Sequence, residues 1–435
     1  MIKKKTPIKF FVSLVFIISY VLEYIPKLTY FEDELIALTS HIFFITELNF
    51  KAPFLVENIN FTPALTTGFN SSIGGALGWL IFENFYFSRL FNLLWVFIEI
   101  TVLNFYLYKK KTINIKFVYY SYLGLFCIPL WYNVLYGIGE VLSSIIFFYS
   151  IILYEKNPKL SMFLISFSIF FGKFIIFLSF LVFAAVNIRK YNFRNLIYFS
   201  IPPLCWYSII FYKLGTVGFI EYFKSFTNFL FFHGVAKRNT SKNFFEEIIF
   251  NITVSEIGNW SYVTILRVAV VPILLALFIL FKYTIKEKSK TDLAISLILI
   301  INYFYFFILS YQKYLRYSQV FVIICIYYIL YLLSKEESLS VIEKLFYVLL
   351  ISFYFSNQIL IILFLIASIL ILRNNKTFFV IIFSFFILNI INLQYESSKE
   401  KNNIMLITEC KNNISSIYCI EEYLPYKYFL EEDNT

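Results

Sequence analysis

The chain has 435 residues; 60% are hydrophobic, 15% are charged and the formal net charge is +10. That composition excludes an ordinary soluble domain, because apolar runs repeatedly reach the roughly 20 residues that a helix needs to cross a bilayer. The positive charge does not mark a nucleic-acid partner either, since the basic residues fall mostly in short loops between apolar runs and build no extended stripe.

The expectation is an all-α, polytopic membrane protein. The 56 Phe and 35 Tyr, with abundant Ile, Asn and Lys, follow the codons of an AT-rich genome, so single aromatics carry little information. Lys3, Lys4 and Lys5 precede the first apolar run, residues 10–24, and no small-residue cleavage site follows it. It is expected to be a retained helix that starts in the cytoplasm. Three consecutive acids, Glu32, Asp33 and Glu34, come within a few residues of its end. Ionised carboxylates are costly in hydrocarbon, so these acids belong in water or in a polar cavity at the mouth of the span.

Between residues 33 and 47, apolar side chains recur at Leu35, Leu38, Ile42 and Ile45. This spacing predicts a helix lying on the membrane, with Asp33, Ala37, Ser40 and His41 on its other face. His41 is then either a ligand or a solvated or locally bonded histidine. Residues 49–72 contain Pro53, Pro63 and the stretch Thr66, Thr67, Gly68, which predicts a loop. Residues 73–87 hold Gly74, Gly75, Ala76 and Gly78, which predicts a second short helix packed closely on its neighbours.

Further along, spans are predicted at 90–108, ending in Lys109, Lys110 and Lys111, then from 117 to near Trp131, and from Glu140 to about 155. Residues 160–186 are too long for one simple span and carry Gly172 and Lys173 at their middle, which predicts two short helices that meet at the outer side. A span at 195–212 leads into the longest polar interval between spans, 215–260, expected to be a folded outer loop with one or two amphipathic helices, containing His233, Lys237, Arg238 and Glu246. Spans at 262–283, 294–311, 318–333, 342–355, 358–372 and 378–393 complete a set of thirteen. The result is a membrane domain over 1–393 and an extracytoplasmic tail over 394–435. Cys127, Cys205 and Cys325 lie in apolar runs, and no cysteine shows metal-ligand spacing. Cys410 and Cys419 share the polar tail, where a disulfide and two unpaired thiols are both open.

Taken in order, the Glu32-Asp33-Glu34 cluster after the first span, the following interfacial helix, the Thr66-Thr67-Gly68 stretch and Arg89 resemble the first large outer loop of a known enzyme group. It is that of the polyprenyl-phosphate-dependent glycosyltransferases of the GT-C fold, the protein mannosyltransferase and aminoarabinose transferase-like superfamily. Tyr136-Gly137-Ile138-Gly139-Glu140 resembles a Gly-Glu pattern of bacterial members, and Gly172-Lys173 and Arg316-Tyr317 are similar to further signatures at outer helix ends. Phe69 follows Gly68 where many relatives have proline, and the loop has no His-Pro-Pro sequence. The resemblance covers about the first 320 residues and is strongest over 20–190.

What the resemblance implies is a membrane enzyme of the bacterial plasma membrane with an extracytoplasmic site. It would transfer a sugar, with inversion, from a polyprenyl-phosphate donor to a lipid, glycan or protein acceptor. Asp33 takes the place of the family's catalytic acid and would accept the acceptor's proton, with Glu34 and then Glu32 as substitutes. Glu140 would orient the acceptor or share a divalent cation with Asp33, a pairing that suits oxygen-rich coordination. Arg316 and Lys173 would hold the departing phosphate. Each role has a plainer alternative. The acids can cap the interfacial helix, Glu140 can be a helix-start residue in water, and Arg316 and Lys173 can simply snorkel to the interface.

Two other functions compete. A flippase or transporter of lipid-linked saccharides would place charges within its spans, whereas the mid-span residues here are almost all apolar. A polysaccharide polymerase or ligase would rely on a large late loop, which 215–260 could supply, but that leaves the acids after the first span unexplained.

Overall fold

The computed structural model describes residues 69–127, 131–187, 193–228, 262–285, 289–309, 315–335 and 339–355. Before them it describes Leu22, Ile25, Glu34, Leu38, His41, Ile42, Phe44, Ile45 and Thr46. Every regular element among the described residues is helical. The elements are α1 Phe69–Phe82, α2 Phe85–Lys109, α3 Ile115–Cys127, α4 Gly139–Leu153, α5 Pro158–Phe167, α6 Ile176–Asn187 and α7 Phe193–Asn228. Next, α8 runs through Tyr262–Ile265, a π-turn Leu266–Val270 and Val271–Ile285. After it come α9 Lys290–Phe304, α10 Leu315–Ser334 and α11 Val341–Phe355. A 3₁₀ turn, Trp131–Val134, precedes α4, while π-turns Ser168–Gly172 and Tyr305–Leu309 extend α5 and α9.

Five of the described helices are long and apolar enough to cross a membrane: Phe85–Lys109, Asn195–Lys224, Leu266–Thr284, Lys290–Leu309 and Tyr317–Ser334. The expected spans at 358–372 and 378–393, and that at 10–24 apart from Leu22, lie outside the described residues.

Local chemistry accounts for several boundaries. Asn84 starts α2 by accepting a hydrogen bond from the Tyr86 amide, and Asn157 followed by Pro158 starts α5. Ser340 and Glu343 bond each other's amides reciprocally, a capping box at the head of α11. Two expectations shift here. The loop over 49–72 ends earlier, because Phe69 to Ser72 already form the first turn of α1. The span expected to end at 212 runs on to a kink at Gly215, whose φ of 64 lies where only glycine is unstrained, and helix continues from there to Asn228, inside the interval where helices were expected.

The centre of the bundle is α4 and α10. Every residue of α4 is buried, as expected of a helix with no polar face; Ser144 and Ser150 return their hydroxyls to carbonyls one turn back. Helix α3 runs opposite to α10: Asn114 donates to the Ser334 carbonyl, and the Tyr327 hydroxyl donates to the Ser121 carbonyl. It runs opposite to α4 as well, since Phe117 packs on Phe148 and Tyr149 while the 3₁₀ turn joins the far ends of the two helices. Helices α4 and α10 are therefore parallel, and their first turns lie at one end of the bundle. Glu140 opens one of them and Arg316 the other.

Candidate functional site

At this end the sequence-distant elements meet. Arg89, in the second turn of α2, donates from Nε to Glu34 Oε1 and from a terminal nitrogen to Glu34 Oε2, both at 2.8 Å. The pair is buried, and the guanidinium also donates to the Ile25 carbonyl at 3.3 Å and lies 5.1 Å from the centre of the Tyr136 ring. A planar fork can satisfy both carboxylate oxygens at once, which is the geometry that tolerates removal from water.

Glu34, Leu38, His41 and Phe44 are all helical, spaced three or four residues apart, and all buried. This corrects the expected orientation: the face that carries Glu34 and His41 packs into the protein, so His41 is not solvated. Its Nδ1 meets Ser72 Oγ at 2.5 Å, and its ring lies edge-on to Phe69 at 5.1 Å. Phe69 and Phe44 continue the contact to Trp206 of α7.

Ser72 is held in place by the α1–α2 hairpin. The Gly75 amide donates to Asn92 Oδ1 at 2.6 Å, and Asn92 Nδ2 donates to the Leu135 carbonyl at 2.9 Å. A Cβ on Gly74 would stand 2.5 Å from the Phe91 carbonyl oxygen, and one on Gly78 would stand 2.7 Å from that of Phe87. The small-residue run therefore lets two backbones touch, as expected from sequence. Gly137 sits against Ser72 and Asn92 with a φ of +68, and a side chain there would clash as well as strain the backbone.

Three residues further on, Glu140 is fully buried in the first turn of α4. Its carboxylate stands 3.2 Å from Lys173 Nζ. Lys173 follows the π-turn of α5 in extended conformation, in the break before α6 where two short helices were expected to meet. Gly172 permits the approach, because a side chain there would collide with Ser143. The contact is an ion pair by distance. Neither Glu140 oxygen has a well-directed hydrogen bond among the described residues.

Of the expected site residues, Glu34, Glu140 and Lys173 come to this end, with Arg89 and His41. Arg316 is in the first turn of α10 at the same end, and its side chain is outside the described atoms. Asp33, Glu32, His233, Cys410 and Cys419 lie outside the described residues. Two roles change. Glu140 is not a helix-start residue in water but a buried partner of Lys173, and the charge of Lys173 is balanced by that carboxylate. Lys173 Nζ stands beside Glu140 Oε1, and Asp33, with which Glu140 was expected to share a divalent cation, lies outside the described residues. No group of three or more His, Cys, Asp or Glu side chains that could hold a metal occurs among the described residues.

The sequence reading overlooked Glu99. It lies well inside α2 between Ile98 and Ile100, and its Oε2 accepts from Asn70 Nδ2 at 3.0 Å. The signal was available as a single acid inside a run long enough to span. No family model, curated protein or solved structure matches the chain.

Proposed function

We propose that this chain is an inverting membrane glycosyltransferase. It moves a sugar from a polyprenyl-phosphate donor to a lipid, glycan or protein acceptor at the extracytoplasmic face of a bacterial plasma membrane, across which thirteen spans run. The observation that carries this reading is convergence. Glu34, adjacent in the chain to Asp33, is fixed by Arg89 at the end of the bundle where Glu140, Lys173 and the first turn of α10 also lie.

In this reading the donor's tail lies in the bilayer and its anomeric carbon waits at the mouth. The acceptor oxygen or nitrogen attacks that carbon, its proton passes to the Asp33 carboxylate, and the bond to the phosphate oxygen breaks with its electron pair leaving on the phosphate. One displacement inverts the anomeric centre. Arg316 takes the phosphate, for which its planar fork is suited. Lys173, already paired, contributes no net charge with Glu140. Glu34 fixes the acidic segment through Arg89 instead of acting as the base.

The test is to incubate purified protein with a panel of polyprenyl-phosphate sugars and candidate acceptors and to detect released polyprenyl phosphate by mass spectrometry. Release that depends on acceptor supports the reading. A second reading, a flippase or transporter of lipid-linked saccharides, is favoured by the acid inside α2. It predicts movement of labelled donor across proteoliposomes with no release.

A further inference from the structure

Glu99 is 14 residues beyond Phe85 and 10 before Lys109. At about 1.5 Å per residue, it therefore stands about 21 Å from one end of α2 and about 15 Å from the other. Val102, one turn on, and Ile98 and Phe105 on the adjoining face of the helix are among the most exposed apolar residues of the protein, as befits a face turned to lipid. Glu99 itself is half-buried between that face and the N-terminus of α1.

Its partners are neutral. Trp95 Nε1, which can only donate, bonds Asn70 Oδ1 at 3.3 Å. That fixes the Asn70 amide with its nitrogen towards Glu99. Among the described residues no ion pair involves Glu99. Helix α1 has no titratable residue. The titratable groups that α3 and α4 turn towards this stretch of α2 are phenols, Tyr122 bonded to Thr101 and Tyr149 bonded to Asn104. Arg89, on α2 itself, is about 15 Å away by helical rise and is committed to Glu34. Glu140 of α4 is committed to Lys173.

A carboxylate at this depth with no cation would be among the costliest groups a membrane protein can carry, and the usual resolution is to neutralise it. We propose that Glu99 is a proton-binding site within the bilayer, a carboxyl that is neutral at physiological pH, oriented by Asn70 and reached from the lipid phase. One oxygen accepts from Asn70 while the other carries the proton. Because Asn70 lies in the first turn of α1, two residues from the Ser72 that bonds His41, the state of this carboxyl bears on how α1 is seated at the mouth. This inference does not depend on the glycosyltransferase reading.

The test is reaction with dicyclohexylcarbodiimide, a lipid-soluble reagent that adds to protonated carboxyls. The acid proton passes to one carbodiimide nitrogen, the carboxyl oxygen bonds the central carbon, and the adduct rearranges to a stable N-acylurea with nothing lost. The full-length protein in vesicles should carry this adduct at Glu99 at neutral pH, located by peptide mass spectrometry. The adduct should decline as the pH is made alkaline, and a water-soluble carbodiimide should leave Glu99 unmodified. Glu99→Gln, a neutral mimic, should abolish the adduct while keeping yield and melting temperature close to wild type. The proposal is overturned by absence of the adduct at neutral pH, by equal labelling with the water-soluble reagent, or by a marked loss of melting temperature in Glu99→Gln.

Discussion

Arg89 and Glu34 are joined by two parallel hydrogen bonds of 2.8 Å, with side-chain exposures of only 4% and 2%. The pair ties the segment after the first apolar run to the head of α2. Arg89→Ala leaves a buried carboxylate uncompensated, and breaking such a pair costs about 3–5 kcal/mol. Glu34→Gln combined with Arg89→Met should recover much of that loss. Thermal unfolding in detergent checks this; single substitutions that leave the melting temperature unchanged would remove the pair as an anchor.

The α1–α2 hairpin should be intolerant of added volume. At Gly74 the obstacle is the backbone carbonyl of Phe91, which cannot rotate aside as a side chain can. Gly74→Val should therefore cost about 1–3 kcal/mol, the usual range for overpacking. Ala76→Gly removes a methyl without a clash and should cost less. Limited proteolysis at the α1–α2 turn would rank the two.

Lys173 and Arg316 should behave differently. Lys173→Met should destabilise the fold by stranding Glu140, and adding Glu140→Gln should restore stability. Arg316→Ala should instead weaken donor binding without loss of melting temperature, and Arg316→Lys should rescue it only in part, because lysine keeps the charge and loses the fork. Donor binding lost equally in Lys173→Met/Glu140→Gln and Arg316→Ala would return Lys173 to the phosphate.

Sidedness has a direct readout. Glu83 sits exposed in the turn between α1 and α2, at the end that holds Arg89, and Glu155 sits exposed after α4, at the opposite end. Cysteine at 83 should react with an impermeant maleimide in intact spheroplasts, and cysteine at 155 only after lysis. The reverse pattern would put the acids in the cytoplasm.

Much of the helical plan was legible because several helix ends carry their own chemistry. The lysines at 109 to 111 close α2 where expected, Gly172-Lys173 marks the break between α5 and α6, and Gly74 to Gly78 makes a close hairpin. Which face of a helix meets protein and which meets lipid was not legible. In the 34–46 segment both faces have a candidate environment, and His41 turned inward because Ser72, brought by α1, offered it a partner. Ion pairing was equally hidden. Glu140 and Lys173 were each visible as charges at helix ends, but only the break after the π-turn brings them together. Glu99 was missed because hydrophobicity averaged over a window absorbs one acid, and its partner Asn70 fell in a stretch expected to be loop.

The central claim, that Asp33 takes the acceptor's proton, is tested most directly by comparing acceptor-dependent release of polyprenyl phosphate by wild type and Asp33→Asn. Asparagine keeps the volume and removes the charge, so turnover should fall by on the order of 10²-fold or more while donor binding and melting temperature hold. Near-normal turnover in Asp33→Asn would contradict the assignment of glycosyl transfer to this carboxylate.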